Sequence, residues 1–231
     1  MKDSCNKAWA RRVMDLVHLR LRLKTFGAEQ LAGNPGPHVF ICNHGTIVGV
    51  SAGVTYLPVK FRPWVHDAMV YEDLATASIE KTYEDQFNWL GKRLKKKVAR
   101  LAAKFVCGAI AAFDPISVSR TDPSKMTETF AESLKTLEQG INLLIYPENP
   151  GEHYNMDSFR ELHPAFAALG LKYYRSTGRL LSFYPTFVDP DRKRFTIGHP
   201  VTYRPDTGVR EEINRIVEAV QAELIRLSET D

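Results

Sequence analysis

The sequence predicts an α/β fold: a mixed, mostly parallel sheet flanked by helices. Three observations lead there. Short apolar runs at residues 38–42, 141–146 and 180–188 have the composition of buried strands. Between them lie segments whose apolar residues recur every three or four positions, the period of a helix with one inward face. The two kinds of segment alternate along the chain, which builds sheets with helices on their faces. In such sheets ligands sit beyond the carboxyl ends of the strands, so polar residues at strand exits are the first candidates for chemistry.

The chain begins with an amphipathic helix over residues 6–18, with Trp9, Val13, Leu16 and Val17 on one side and Lys7, Arg11 and Arg12 elsewhere. We treat residues 1–18 as this helix and 19–231 as one α/β domain. Leu19, Leu21 and Leu23 alternate with Arg20, Arg22 and Lys24, predicting a strand with one buried face. Gly33-Asn34-Pro35-Gly36-Pro37 predicts a turn, and the apolar run that follows stops at Asn43-His44-Gly45. Over residues 83–106 Phe87, Leu90, Leu94, Val98, Leu101 and Phe105 fall on one helical face, expected to pack on the core or partly enter a membrane interface. The rest carries Lys92, Arg93, Lys95, Lys96, Lys97, Arg100 and Lys104. A strand is expected over 111–119, ending at Arg120. Asp122 and Pro123 suit the start of a helix with stripe Met126, Phe130, Leu134 and Leu137, and Gly140 suits its end. Beyond the strand at 141–146, which runs into Pro147-Glu148-Asn149, further helices are expected at 157–169 and 209–228, and strands at 180–188 and 195–198.

Composition narrows the function. At 231 residues, 44% hydrophobic and 25% charged, the chain is ordinary globular material, and its net charge of +4 is too mild to imply nucleic acid. Three cysteines in no zinc-ligand spacing argue against a disulfide framework and for a reducing, cytoplasmic setting. The apolar run at 105–113 is half the length of a membrane span, and the N-terminal apolar residues are too interrupted by charge for a signal peptide. No serine-hydrolase elbow, P-loop or dinucleotide fingerprint occurs.

Three strand exits carry the candidate residues. His44 follows a buried strand and precedes a glycine that leaves room for substrate, so it is the best general base; the alternative is a turn histidine bonded to backbone. Arg120, before a helix N-terminus, suits a phosphate, or pairs with Asp122. Glu148 could orient a substrate hydroxyl, pair with Arg120, or be a loop carboxylate. The basic helix suits anionic lipid headgroups, or is a solvated face.

In order, these segments resemble the lysophosphatidic acid and glycerol-phosphate acyltransferase family from about residue 19 to 227. Leu21-Arg22-Leu23-Lys24-Thr25-Phe26-Gly27-Ala28-Glu29 is similar to the family's first strand. Phe40-Ile41-Cys42-Asn43-His44 resembles the strand leading to its catalytic Asn-His. Phe113-Asp114-Pro115-Ile116-Ser117-Val118-Ser119-Arg120 resembles its second motif, Leu143-Leu144-Ile145-Tyr146-Pro147-Glu148 its third, and Phe183-Tyr184-Pro185-Thr186-Phe187-Val188 its fourth. The resemblance implies an acyltransferase of phospholipid biosynthesis. A fatty acyl group would pass from an acyl thioester, acyl-CoA or acyl carrier protein, to a hydroxyl of a lysophospholipid or glycerol-phosphate-like acceptor. His44 would be the base, Arg120 would hold the acceptor phosphate, and Asn43, Glu148 and Asn149 would shape the acceptor site, with no metal and no bound cofactor. The expected setting is the cytoplasmic face of a membrane, touched through Trp9, Arg11, Arg12, Lys95, Lys96 and Lys97.

The family holds its histidine with an aspartate five residues on. Here that position is Gly49, and Asn149-Pro150 replaces Gly-Thr in the third motif. No Asp or Glu stands between His44 and His66. Asp67, Glu148 or a backbone carbonyl could orient the imidazole instead. Two further readings remain: a catalytically impaired lipid-binding relative, and an acyltransferase whose acceptor has no phosphate.

Overall fold

The computed structural model describes residues 7–45, 47–82, 92–119, 122, 124–148 and 158–230. In chain order these form α1 (Ala8–Leu21), β1 (Lys24–Phe26), β2 (His38–Cys42), α2 (Ile47–Tyr56), β3 (Phe61–His66), α3 (Asp67–Val70), α4 (Glu72–Thr82) and α5 (Lys92–Ile110). There follow β4 (Ile116–Val118), α6 (Lys125–Glu138), β5 (Asn142–Ile145), α7 (Ala168–Thr177), β6 (Ser182–Asp189), β7 (Arg194–Ile197), β8 (Val201–Thr202) and α8 (Val209–Glu229). The strands make one sheet ordered β1-β7-β6-β2-β5-β3-β4, with β8 beside β6. Strands β6, β2, β5, β3 and β4 are mutually parallel; β7 and β8 run antiparallel to β6, and β1 follows β7. The sheet is therefore mixed and mostly parallel, with helices on both faces.

Alternation along the central strands divides the core. Val39, Ile41, Leu143, Ile145, Phe183 and Phe187 face α7 and α8, while Phe40, Cys42, Leu144, Tyr184 and Val188 face α1 and α2. Because both faces are covered, β2 is buried along its whole length, which is why its sequence reads as a continuous apolar run. Helix α6 turns hydroxyls to the sheet instead. Thr129, Ser133 and Thr136 are all buried: Ser133 and Thr136 donate to the carbonyls of Thr129 and Glu132 within the helix, whereas Thr129 reaches the Ser117 carbonyl of β4 at 2.8 Å, with the Lys125 carbonyl at 3.2 Å.

Four expectations need correction. The first helix runs on to Leu21, so no strand alternates over residues 19–24, and only Lys24–Phe26 is extended. Ala10, Met14 and Leu21 pack inward at helical spacing while Leu19 is exposed. The period of 3.6 prevails over the apparent period of 2. The strand expected at 111–119 shrinks to Ile116–Val118 because α5 continues to Ile110 and a 3₁₀ turn follows. Over 157–169 the described residues form two short 3₁₀ turns, Ser158–Arg160 and Pro164–Ala167, and the α-helix begins only at Ala168; Pro164 pushes His163 into extended backbone and so separates the two turns. Finally, Leu94, Val98, Leu101 and Phe105 do not enter the core: α5 buries Ala99, Ala103 and Cys107 instead. Phe87 and Leu90 lie outside the described residues.

Candidate functional site

The exits of β2 and β5, adjacent parallel strands, build the site. At the end of β2 the buried Asn43 donates from its amide to the Val188 carbonyl (3.1 Å) and accepts from the Val188 amide (2.7 Å). Its side chain thus extends the β2–β6 ladder by one rung and fixes where the chain leaves the sheet. Truncation would leave both backbone groups of Val188 buried without that partner. We expect Asn43→Ala to lower unfolding free energy by about 1–3 kcal/mol, measured by urea titration.

His44 and Gly45 follow, Gly45 in the left-handed region at φ 51°. At the end of β5, Glu148 reaches back to this turn. Its Oε1 accepts the His44 backbone N–H at 2.6 Å and its Oε2 the Gly45 N–H at 3.3 Å. The glutamate is 2% exposed. It therefore holds the histidine by its main chain. The segment around it is tied in turn, since His163 N–H donates to the Pro147 carbonyl (2.7 Å) and Glu148 bridges Leu162. The ring of His44 meets Tyr146 edge-on at 5.8 Å.

Helix α2 closes on this turn through two glycines four residues apart. A Cβ on Gly49 would stand 2.4 Å from the His44 carbonyl oxygen; one on Gly53 would stand 2.4 Å from the Tyr146 hydroxyl, which donates to the Val50 carbonyl at 3.1 Å. Position 49 is thus closed to any side chain on this backbone, a carboxylate included.

Burial dominates the electrostatics. It pushes the Glu148 carboxyl up to about 7, although the two N–H bonds oppose the shift. It pushes Cys42 up to about 12, so that thiol stays protonated and is not a nucleophile at neutral pH. Since the unfolded chain would ionise Glu148 near its ordinary 4.5, stability falls as pH rises from 4.5 to about 7 and then levels off. Thermal melts should show about 2–3 kcal/mol of this decline between pH 5 and 8, and Glu148→Gln should lack it.

Beside the turn opens a cleft of about 580 Å³ at the carboxyl ends of β3, β4 and β5, lined by His66, Ser119, Tyr146, Glu148, Phe166 and their neighbours. His44 does not line it; Tyr146, against the His44 ring, does. Asp67 sits with a different histidine, its Oδ1 3.1 Å from His66 Nδ1 and accepting the Ala68 N–H at 2.8 Å. His66 escaped the sequence reading because β3 did. Its signal was the one that marks His44, a polar residue at the exit of an apolar strand. Arg120 and Asn149 lie outside the described residues. Among the described residues no three His, Cys, Asp or Glu side chains cluster as metal ligands, and no helix is long and apolar enough to cross a membrane.

No family model and no curated protein matches this sequence. Among solved structures, the chain is similar to the 1-acyl-sn-glycerophosphate (LPA) acyltransferase PlsC from Thermotoga maritima, with a TM-score of 0.47 and 12% identity over 96% of this chain and 82% of that one.

Proposed function

We propose that this chain is an O-acyltransferase that moves a fatty acyl group from an acyl thioester, acyl-CoA or acyl carrier protein, to a hydroxyl of a lysophospholipid or glycerol-phosphate-like acceptor. The observation that carries the reading is His44 at a strand exit, its turn clamped by Glu148 beside a 580 Å³ cleft, in a sequence whose motifs have that family's order. In this reading His44 takes the proton of the acceptor hydroxyl as the oxygen attacks the thioester carbonyl. The tetrahedral intermediate collapses with cleavage of the C–S bond, and the imidazolium returns its proton to the departing thiolate. Glu148 keeps the His44 turn in place, and Arg120 holds the acceptor phosphate. No metal or bound cofactor enters the step. The reaction runs at the cytoplasmic face of a membrane, with Trp9, Arg11, Arg12, Lys95 and Lys97 on the membrane side.

The test is thiol release from a panel of acyl thioesters with and without lysophosphatidic acid, glycerol 3-phosphate or a fatty alcohol. Release that requires a phosphorylated acceptor, and that Arg120→Ala abolishes, is expected. Release to the alcohol that Arg120→Ala spares would move the assignment to an acceptor without phosphate. Glycine at position 49, where the family has its aspartate, favours a second reading, a lipid-binding relative without turnover. Folded protein that captures lysophospholipid but releases no thiol with any pair would establish that one.

A further inference from the structure

Helix α5 is built inside out for a helix in water. Its large apolar residues step by four, three and four, and they face solvent: Leu94 is 49% exposed, Val98 42%, Leu101 71% and Phe105 55%. Its buried face is made of small residues, Ala99, Ala103 and Cys107, of which Ala103 and Cys107 pack with Ala75 and Ile79 of α4. A water-facing helix normally shows the reverse. Close packing through small residues with large apolar side chains outward is the arrangement of helices surrounded by lipid.

Helix α1 joins the same surface. Ala10 is fully buried, while Trp9, Leu16 and Leu19 are exposed. The Trp9 ring lies 5.5 Å from the Phe105 ring and packs over Gly108, where a Cβ would meet the indole at 3.4 Å. The two exposed faces are therefore continuous. Scattered exposed leucines need no explanation, but a contiguous apolar patch on a soluble domain marks an interaction surface.

The charges select the partner. Between Lys92 and Ile110 the helix carries Lys92, Arg93, Lys95, Lys96, Lys97, Arg100 and Lys104 and no acidic residue. At about 100° per residue, Lys97, Lys104 and Arg100 fall along one flank of the apolar stripe and Lys95 along the other. A second copy of the chain would bring basic flank against basic flank. An anionic bilayer instead offers hydrocarbon to the stripe and headgroup charge to the flanks.

We propose that the joined face of α5 and α1 seats in the surface of an anionic bilayer, with Leu94, Val98, Leu101, Phe105 and Trp9 in the headgroup–acyl boundary and Lys97, Arg100 and Lys104 at the headgroups. The acyl-transfer reading motivates a lipid partner; the face itself rests on exposure and charge.

The experiment is sedimentation of the full chain with vesicles of phosphatidylcholine alone or mixed with phosphatidylglycerol, at low and high salt, together with quenching of tryptophan by brominated acyl chains. Wild type should bind the mixed vesicles, less so at high salt. Leu101→Asp/Phe105→Asp should bind them at least about tenfold more weakly, since two large apolar side chains no longer leave water. Lys97→Glu/Lys104→Glu should bind more weakly chiefly at low salt, and Trp9→Phe should lose most of the quenching. Wild-type failure to bind, or full binding by Leu101→Asp/Phe105→Asp, would overturn the proposal. So would a dimer of the free protein in analytical ultracentrifugation that this variant abolishes. None of these readouts needs turnover. Vesicle binding without thiol release would leave the surface standing and remove the enzyme, whereas release from soluble short-chain substrates without vesicle binding would do the opposite.

Discussion

Acceptor-dependent thiol release is expected to fall by about 10²–10⁴-fold in His44→Ala, the usual contribution of a positioned general base, with the fold intact. His44 is half-buried and belongs to neither main core cluster: its ring meets Tyr146, and its turn is held by Glu148. Glu148→Gln should be slow for a different reason. A carboxylate accepts both N–H groups, whereas the amide accepts one and turns its own donor toward the other, so the turn relaxes. A misplacement on the order of 1 Å costs about 10²-fold. The pH profile separates this from a merely structural loss. With the Glu148 carboxyl near 7, wild-type activity should decline as pH falls through that value, because protonation removes part of the clamp before any unfolding. Stability moves the other way, rising as pH falls through the same window. A Gln variant whose activity keeps an unchanged decline centred near pH 7 would show that Glu148 does not set it.

Much of this site is written in the sequence, because each piece sits at the end of an apolar run. Strand β2 stops at Asn43 and β5 at Tyr146, and adjacent parallel strands bring their exits together. The sequence marks His44 and Glu148 as strand exits; that their strands are neighbours is seen only in the fold. What the carboxylate does there was not legible: it binds main chain, and main-chain N–H groups carry no residue code. Residues 47–82 gave no periodic signal strong enough to assign. Helix α2 is apolar on most sides, including two glycines whose reason is contact with the His44 carbonyl and the Tyr146 hydroxyl. Strand β3 went unread for a similar reason. Pro63 interrupts its pattern, and Arg62 looks like a surface residue although it is held by Asp114, Glu132 and Thr136. With β3 went His66 and its Asp67 partner. The stripe of α5 shows the limit of periodicity itself. Spacing finds the apolar face of a helix but not whether protein or something else covers it, and there the small residues won the inner position.

Gly49→Asp is the sharper experiment, because two arguments assign it opposite outcomes. Comparison by motif says that the substitution restores the carboxylate that would hold the imidazole, and should raise thiol release. The geometry says that it fails. The Cβ of any residue at 49 would lie 2.4 Å from the His44 carbonyl oxygen, well inside contact distance, and that oxygen belongs to backbone fixed on one side by Asn43 and on the other by Glu148. To admit a side chain, α2 and the β2 exit must separate, which carries His44 away from its place and weakens the Glu148 clamp. Overpacking of this kind costs about 1–3 kcal/mol. Gly49→Ala should show that loss in a urea titration and lose activity on the order of tenfold or more, with Gly49→Asp at least as slow and at least as unstable. The Ala variant isolates the steric part, so the difference between the two reads the carboxylate alone. If Gly49→Asp were faster than wild type while Gly49→Ala were slower, the turn would have room to open and the histidine would be waiting for its partner. If both are slow, the glycine is part of how this chain holds His44, with the orienting carboxylate moved to a neighbouring strand and acting through the main chain.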